Sequence, residues 1–188
     1  RPAPAASPST LDDRPFRIGK GTDRVMLINF WAAWCAQSRS ELPKLEQLYQ
    51  TYRRRGVEFV NVSVETLRPA GEQLEIVRGL DSKIPVVLDP QRSIAKSYSV
   101  TQFPTLFLVG KNGTIEAVRR GIGRTPADLD DMFDTLQTQL DKLLEGKDRT
   151  SFPPKPQTFG LSCGLDMIPA RNANPVPISA PTLYVEAI

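Results

Sequence analysis

The stretch Val25-Met26-Leu27-Ile28-Asn29-Phe30-Trp31-Ala32-Ala33-Trp34-Cys35-Ala36-Gln37-Ser38-Arg39 decides the reading of this chain. Its first seven residues are a nearly continuous apolar run, the pattern of a strand covered on both faces. Helical periodicity then begins at Ala36. Leu42, Leu45, Leu48, Tyr49 and Tyr52 recur on one face, and the helix is expected to run to about Arg54. Pro43 falls inside it and is expected to kink it. Cys35 therefore leaves a buried strand and opens a helix. Unpaired amide N–H groups and the positive end of the helix dipole stabilise a thiolate at that point, and the thiolate is the attacking form in disulfide exchange. Arg39 adds positive potential, and Trp34 flanks the sulfur and limits water. The competing reading is a buried, inert thiol.

Working outward, Gly56 ends the first helix and Val57 to Val64 reads as a second inner strand. Pro69 to Leu80 reads as a helix, Pro85 to Leu88 as a short strand and Asp89 to Tyr98 as a short helix. Thr105 to Val109 and Thr114 to Arg119 form a hairpin about Lys111-Asn112-Gly113. Thr125-Pro126-Ala127-Asp128 opens a last helix whose stripe is Leu129, Met132, Phe133, Leu136, Leu140 and Leu143. The order βαβαβαββα gives an α/β fold, a central mixed sheet with helices on both faces. Residues 1–15 read as a flexible Pro/Ala-rich leader, 16–145 as the folded domain, and 146–188 as a Pro-rich extension packed on the domain or trailing from it. Thr182 to Ile188 is a candidate edge strand.

Composition narrows the chemistry. Hydrophobic residues make up 40% of the chain, which suits a globular domain. The net charge is +3, and the one tight basic cluster, Arg53-Arg54-Arg55, lies at a helix end where cations complement the dipole, so nucleic-acid binding is not expected. With no histidine, a Ser-His-Asp or Cys-His arrangement and a histidine-ligated metal are excluded. The two cysteines, Cys35 and Cys163, do not make a zinc site, and no cofactor is expected. No apolar run approaches the length of a membrane span. The only membrane link expected is an N-terminal anchor that is absent here.

The segment from Asn29 to Cys35, followed by Arg39-Ser40-Glu41-Leu42-Pro43, resembles the thioredoxin superfamily and, within it, the TlpA/ResA-type thiol–disulfide oxidoreductases. Gly56-Val57-Glu58-Phe59-Val60-Asn61-Val62, Pro85 to Pro90, Tyr98-Ser99-Val100 and Phe103-Pro104-Thr105-Leu106-Phe107-Leu108-Val109 follow in the family's order. The resemblance spans about Phe16 to Leu144. It implies a thioredoxin fold, a Cys-x-x-Cys pair whose first member is Cys35, and a cis peptide before Pro104. Trp34, Ala36, Gln37, Phe103 and Pro104 would then line the substrate site. Ser38 stands where the family has its resolving cysteine. A serine hydroxyl does not resolve a mixed disulfide, so the form shown is expected to trap one. Ser38 is read either as an engineered replacement or as a native monothiol variant.

A buried acid that moves protons is a further family feature. Asn29 stands at one such position and does not titrate. Glu65 follows the second strand near the other, and a solvated loop glutamate is the equal alternative. Cys163, outside the resemblance, has three readings: a buried structural thiol, a remote resolving cysteine for Cys35, or a block on the site. Loop-closure cost grows only logarithmically, so sequence distance does not forbid the pairing.

The resemblance implies an enzyme that acts on protein thiols and disulfides, with apocytochrome c or copper-assembly proteins as partners and an upstream electron-donor protein. It also implies an extracytoplasmic, membrane-tethered setting and a part in cytochrome c maturation. The alternative is a redox-inactive or monothiol binding module with native Ser38. A peroxidase with Cys35 as the peroxidatic thiol is a weaker reading, because the loop lacks a Thr-x-x-Cys pattern.

Overall fold

A computed structural model describes residues 1–64, 70–79, 82–146, 157–158 and 161–164. The elements are β1 (Val25–Trp31), α1 (Ala36–Tyr52), β2 (Val57–Ser63), α2 (Ala70–Gly79), β3 (Val86–Leu88), α3 (Ser93–Ser97), β4 (Gln102–Phe103), β5 (Thr105–Val109), β6 (Ile115–Arg120), α4 (Pro126–Leu144), β7 (Gln157–Thr158) and β8 (Cys163–Gly164). A single 3-10 turn, Arg53–Arg55, links α1 to β2. It closes on Gly56, whose φ of 86° is the left-handed cap the sequence calls for.

The main sheet has the order β3-β2-β1-β5-β6-β7. β1 and β2 run parallel, as do β2 and β3, while β5 is antiparallel to both β1 and β6. All seven side chains of β1 are buried, and they alternate between two layers of core. Val25, Leu27 and Trp31 face the α1 and α4 side, with Leu42, Leu45, Leu48, Phe59, Leu106, Met132, Phe133 and Leu136. Met26, Ile28 and Phe30 face the opposite layer, with Val60, Val62, Tyr98, Phe103 and Phe107. Burying each such large side chain stabilises the fold by about 1.5–3 kcal/mol, so a central strand apolar on both faces is strongly pinned in register. Asn29 is the polar exception in β1. Its Nδ2 donates to Asn61 Oδ1 of β2 at 3.0 Å.

α4 starts as a capping box. Asp128 N–H donates to Thr125 Oγ1 at 3.1 Å, and Thr125 N–H donates to Asp128 Oδ2 at 3.0 Å. The arginine run at the end of α1 is engaged locally. Arg53 and Arg55 lie over the rings of Tyr49 and Tyr52 at 5.5 and 4.8 Å, and Arg55 pairs with Asp141.

Residues 1–15 depart from the expected flexible leader and form an extended strap on the domain. Arg1 O accepts from Ile115 N, Ala3 N–H donates to Gly113 O, Ala6 exchanges two hydrogen bonds with Ile18, and Leu11 N–H donates to Val86 O at 2.7 Å. Tyr98 Oη donates to Pro4 O at 2.8 Å. The physical reason is that Pro and Ala suit an extended backbone whose remaining donors find acceptors along the sheet. Gly19 (φ +81°) makes the close return: a Cβ there would stand 2.0 Å from Pro4 O.

In the extension after Gly146, Leu161 exchanges backbone hydrogen bonds with Ile122. β7 lies parallel to β6, and β8 pairs antiparallel with β4. The candidate edge strand at 182–188 lies outside the described residues.

Candidate redox site

The site is assembled where β1 ends, α1 begins and β4 meets β5. Cys35 is the N-cap of α1, in extended conformation (φ −87°, ψ 113°), and its carbonyl accepts from Arg39 N–H at 3.2 Å. Its side chain is wholly buried in the second core layer. The Phe103–Pro104 peptide is cis, and the Phe103 carbonyl lies 3.7 Å from Cys35 Sγ. Trp34, half-buried, meets the Phe103 ring edge-on with centroids 6.0 Å apart. Arg39 Nη1 donates to Ala33 O, holding the loop before the cysteine. Trp34, Cys35, Gln37, Phe103 and Pro104 therefore converge on one place, with Ala36 exposed beside them.

Cys35 is disulfide-bonded to Cys163, with Cα atoms 5.9 Å apart and a sequence separation of 128. Cys163 comes in on β8, directly opposite Phe103 in register, while Gly164 stands opposite Gln102. Of the three readings of Cys163, an isolated structural thiol is thereby replaced by a partner for Cys35. Gln37 Oε1 lies 3.0 Å from Cys163 Sγ and 3.5 Å from Cys35 Sγ. Joined sulfurs carry no proton to donate. On reduction the new thiols face ready acceptors in Gln37 Oε1 and the Phe103 carbonyl.

Ser38 is fully buried in α1, one turn after Cys35, and its Oγ accepts from Ala32 N–H at 3.5 Å. It is not a free surface serine. Its hydroxyl holds the Ala32 amide in the loop that leads to Cys35.

Of the two acid positions, Glu65 lies outside the described residues, and Asn29 is spent on Asn61. The acid buried on α1 is Glu41, which sequence reasoning left without a role. It follows Ser38 by three residues on the same face of α1 and is wholly inaccessible. Neither carboxyl oxygen has a hydrogen-bond partner among the described residues. Burial alone pushes its pKa well above the usual carboxylate range. The signal in the sequence was a charge in the apolar face formed by Leu42, Leu45 and Leu48.

Together the geometry defines a thiol–disulfide site on a thioredoxin fold: a cysteine at a helix N-terminus facing a cis-proline loop. The chain belongs to the AhpC/TSA family, whose model matches residues 1–118. It is 32% identical over 113 residues to the thiol-disulfide oxidoreductase ResA of Geobacillus thermodenitrificans, covering 60% of this chain and 64% of that protein. Against the ResA of Geobacillus kaustophilus it is 34% identical and spans 56% of that length, so the chain covers less than two thirds of these curated relatives. Among solved structures, a putative thiol:disulfide interchange protein DsbE from Chlorobium tepidum superposes with a TM-score of 0.65 at 24% identity, over 74% of this chain and 95% of that one. A secreted Mycobacterium tuberculosis disulfide oxidoreductase homologous to Escherichia coli DsbE gives 0.57 at 20% identity, over 73% and 96%. At these identities the two structures speak to the fold.

Proposed function

We propose that this protein is a thiol–disulfide oxidoreductase that acts on protein disulfides through Cys35. The observation that carries the reading is the placement of Cys35 at the head of α1, against the Phe103 carbonyl and the cis Pro104 loop, with its sulfur already in a disulfide. The helix N-terminus favours the thiolate, which attacks a substrate disulfide and forms a mixed disulfide with one half of it. Trp34, Ala36, Gln37, Phe103 and Pro104 form the surface that receives the substrate segment. Ser38 offers no sulfur one turn away, so the mixed disulfide persists until a thiol arrives from elsewhere. This holds whether Ser38 is native or engineered.

An extracytoplasmic setting, with an upstream dithiol protein as electron donor, fits the likeness to the ResA relatives. Apocytochromes c or copper-assembly proteins fit as substrates, since their cysteines must be reduced before metal or haem attachment. Among the described residues no helix is long and apolar enough to cross a membrane.

The test is reduction of a protein disulfide such as that of insulin, with a dithiol donor in excess. Wild-type protein should accelerate it, and Cys35→Ser should reduce the rate to background. Equal rates for the two would overturn the reading. A binding module without turnover is the outcome if the wild type forms mixed disulfides but never cycles.

A further inference from the structure

Cys163 and the strand that carries it occupy the place a substrate would take. In this fold the edge of Gln102–Phe103 beside the cis Pro104 is an open strand edge next to the reactive sulfur, suited to pairing with an extended segment. Here β8 supplies that segment from the chain's own extension, with Cys163 opposite Phe103 and its sulfur bonded to Cys35. The docking is built rather than incidental. Leu161 exchanges two backbone hydrogen bonds with Ile122, at 2.8 and 3.1 Å, just upstream of β8. Cys163 itself is 5% exposed and joins the second core layer with Phe30, Phe103 and Phe107.

We infer that Cys163 is the resolving cysteine of this protein, delivered by a strand that replaces the substrate strand on the β4 edge. The inference rests on the proposed activity of Cys35. In the dithiol protein, the Cys35 thiolate attacks a substrate disulfide. One substrate sulfur leaves as a thiolate and the other stays bonded to Cys35. The Cys163 thiolate then attacks Cys35 Sγ. The Cys35–substrate bond breaks, the Cys35–Cys163 bond forms, and the second substrate thiolate leaves. One substrate disulfide becomes two thiols, and two protein thiols become one disulfide. A dithiol donor protein returns the site to the start by the same exchange in reverse.

Two strands cannot pair with one edge at once. Substrate entry therefore requires β8 to lift from β4, and resolution requires β8 to return and take the edge back. The backbone pairs gained on return help drive the product off. Tethering gives the returning thiol a high effective concentration, which an unattached thiol lacks. The oxidised protein, with its edge filled, is closed to a second substrate until it is reduced. The substrate segment is accordingly extended, with its cysteine opposite Phe103 and a small residue next, as Gly164 is opposite Gln102.

The test uses the full reduced chain and one equivalent of a peptide cystine dimer carrying a fluorophore, quenched with acid and followed by intact mass. Wild-type protein should release two peptide thiols and end as the internal disulfide. Cys163→Ser and, independently, Cys163→Ala should release one thiol and stop as the Cys35–peptide adduct. Ser38→Cys placed in the Cys163→Ser background should restore release of the second thiol, which a merely structural role for Cys163 would not produce. Release of both thiols by both single variants at the wild-type rate would overturn the inference and leave Cys35 as the attacking group. Failure of the wild type to release even the first thiol would instead overturn the activity on which it rests.

Discussion

Glu41 sits in surroundings opposite to those of an ordinary surface glutamate. Fully buried beneath Ser38, its carboxyl finds no partner among the described residues, and desolvation raises its pKa well above the usual value near 4.5. The folded protein binds this proton more tightly than the unfolded chain does. Below about pH 4.5 both states are protonated and Glu41 contributes nothing to the pH dependence. As pH rises from there through the raised folded-state value, stability is lost, because the fold must either hold the proton or bury a charge. Glu41→Gln keeps the shape and removes the titration. Melting temperatures between pH 5 and pH 8 should fall less steeply for the variant than for wild type, and parallel curves would show that the site holds its charge by other means. An acid with a raised pKa, six residues beyond Cys35 in the helix that Cys35 opens, is also suited to give or take a proton as thiolates form and collapse, so the pH dependence of Cys35 alkylation should shift in the same variant. The cysteine at the head of α1, Trp34 beside it and the cis peptide before Pro104 were legible in the sequence, because each belongs to a contiguous motif. Glu41 was less so, since apolar periodicity marks a buried face but not what one charge on it will do.

At the scale of elements, legibility follows length. β1, α1, β2, β5, β6 and α4 fall within a residue or two of where their periodicity places them. Their patterns run for five residues or more. α4 is the clearest case, with a threonine cap, a proline in the first turn and an acid that completes the box. Thr125→Ala removes the acceptor of Asp128 N–H and should cost about 1 kcal/mol, read as a lower urea midpoint at unchanged slope. Asp128 itself has a depressed pKa from the backbone and side-chain hydrogen bonds of Thr125, so its share of stability is present above the ordinary aspartate range and is lost as pH falls through the lowered value. β4, β7 and β8 have two residues each. No period exists in two residues, and their placement depends on partners far along the chain. For that reason the pairing that brings Cys163 to the site could be weighed from the sequence only beside an isolated structural thiol.

For the whole molecule, both ends of the described chain are tied to the sheet. Thr10 bridges to Val87 and Leu11 bonds to Val86, covering the outer side of β3, and β7 lies along the outer side of β6. An open sheet edge is a template for association, and these segments cover the outer sides of β3 and β6. Deleting residues 1–15 should expose β3 and leave Tyr98 Oη without the Pro4 carbonyl. The expected result is a lower melting temperature and concentration-dependent association in size-exclusion chromatography. The Cys35–Cys163 bond closes a loop with a sequence separation of 128 residues. In the chain-entropy model a loop of that order stabilises a fold by up to about 5 kcal/mol. Reduction should therefore lower the melting temperature of wild type by several degrees and leave that of Cys163→Ser unmoved.

The same separation has a consequence for synthesis. A chain made from its N-terminus exposes Cys35 long before Cys163 exists. At 5–20 residues per second the interval is on the order of ten seconds. During it the core strands and α1 emerge while the Cys35 sulfur has no internal mate. The segment that caps it arrives only after a further 128 positions, so the nascent protein passes through a stage in which the Cys35 sulfur is open to any neighbouring thiol or disulfide.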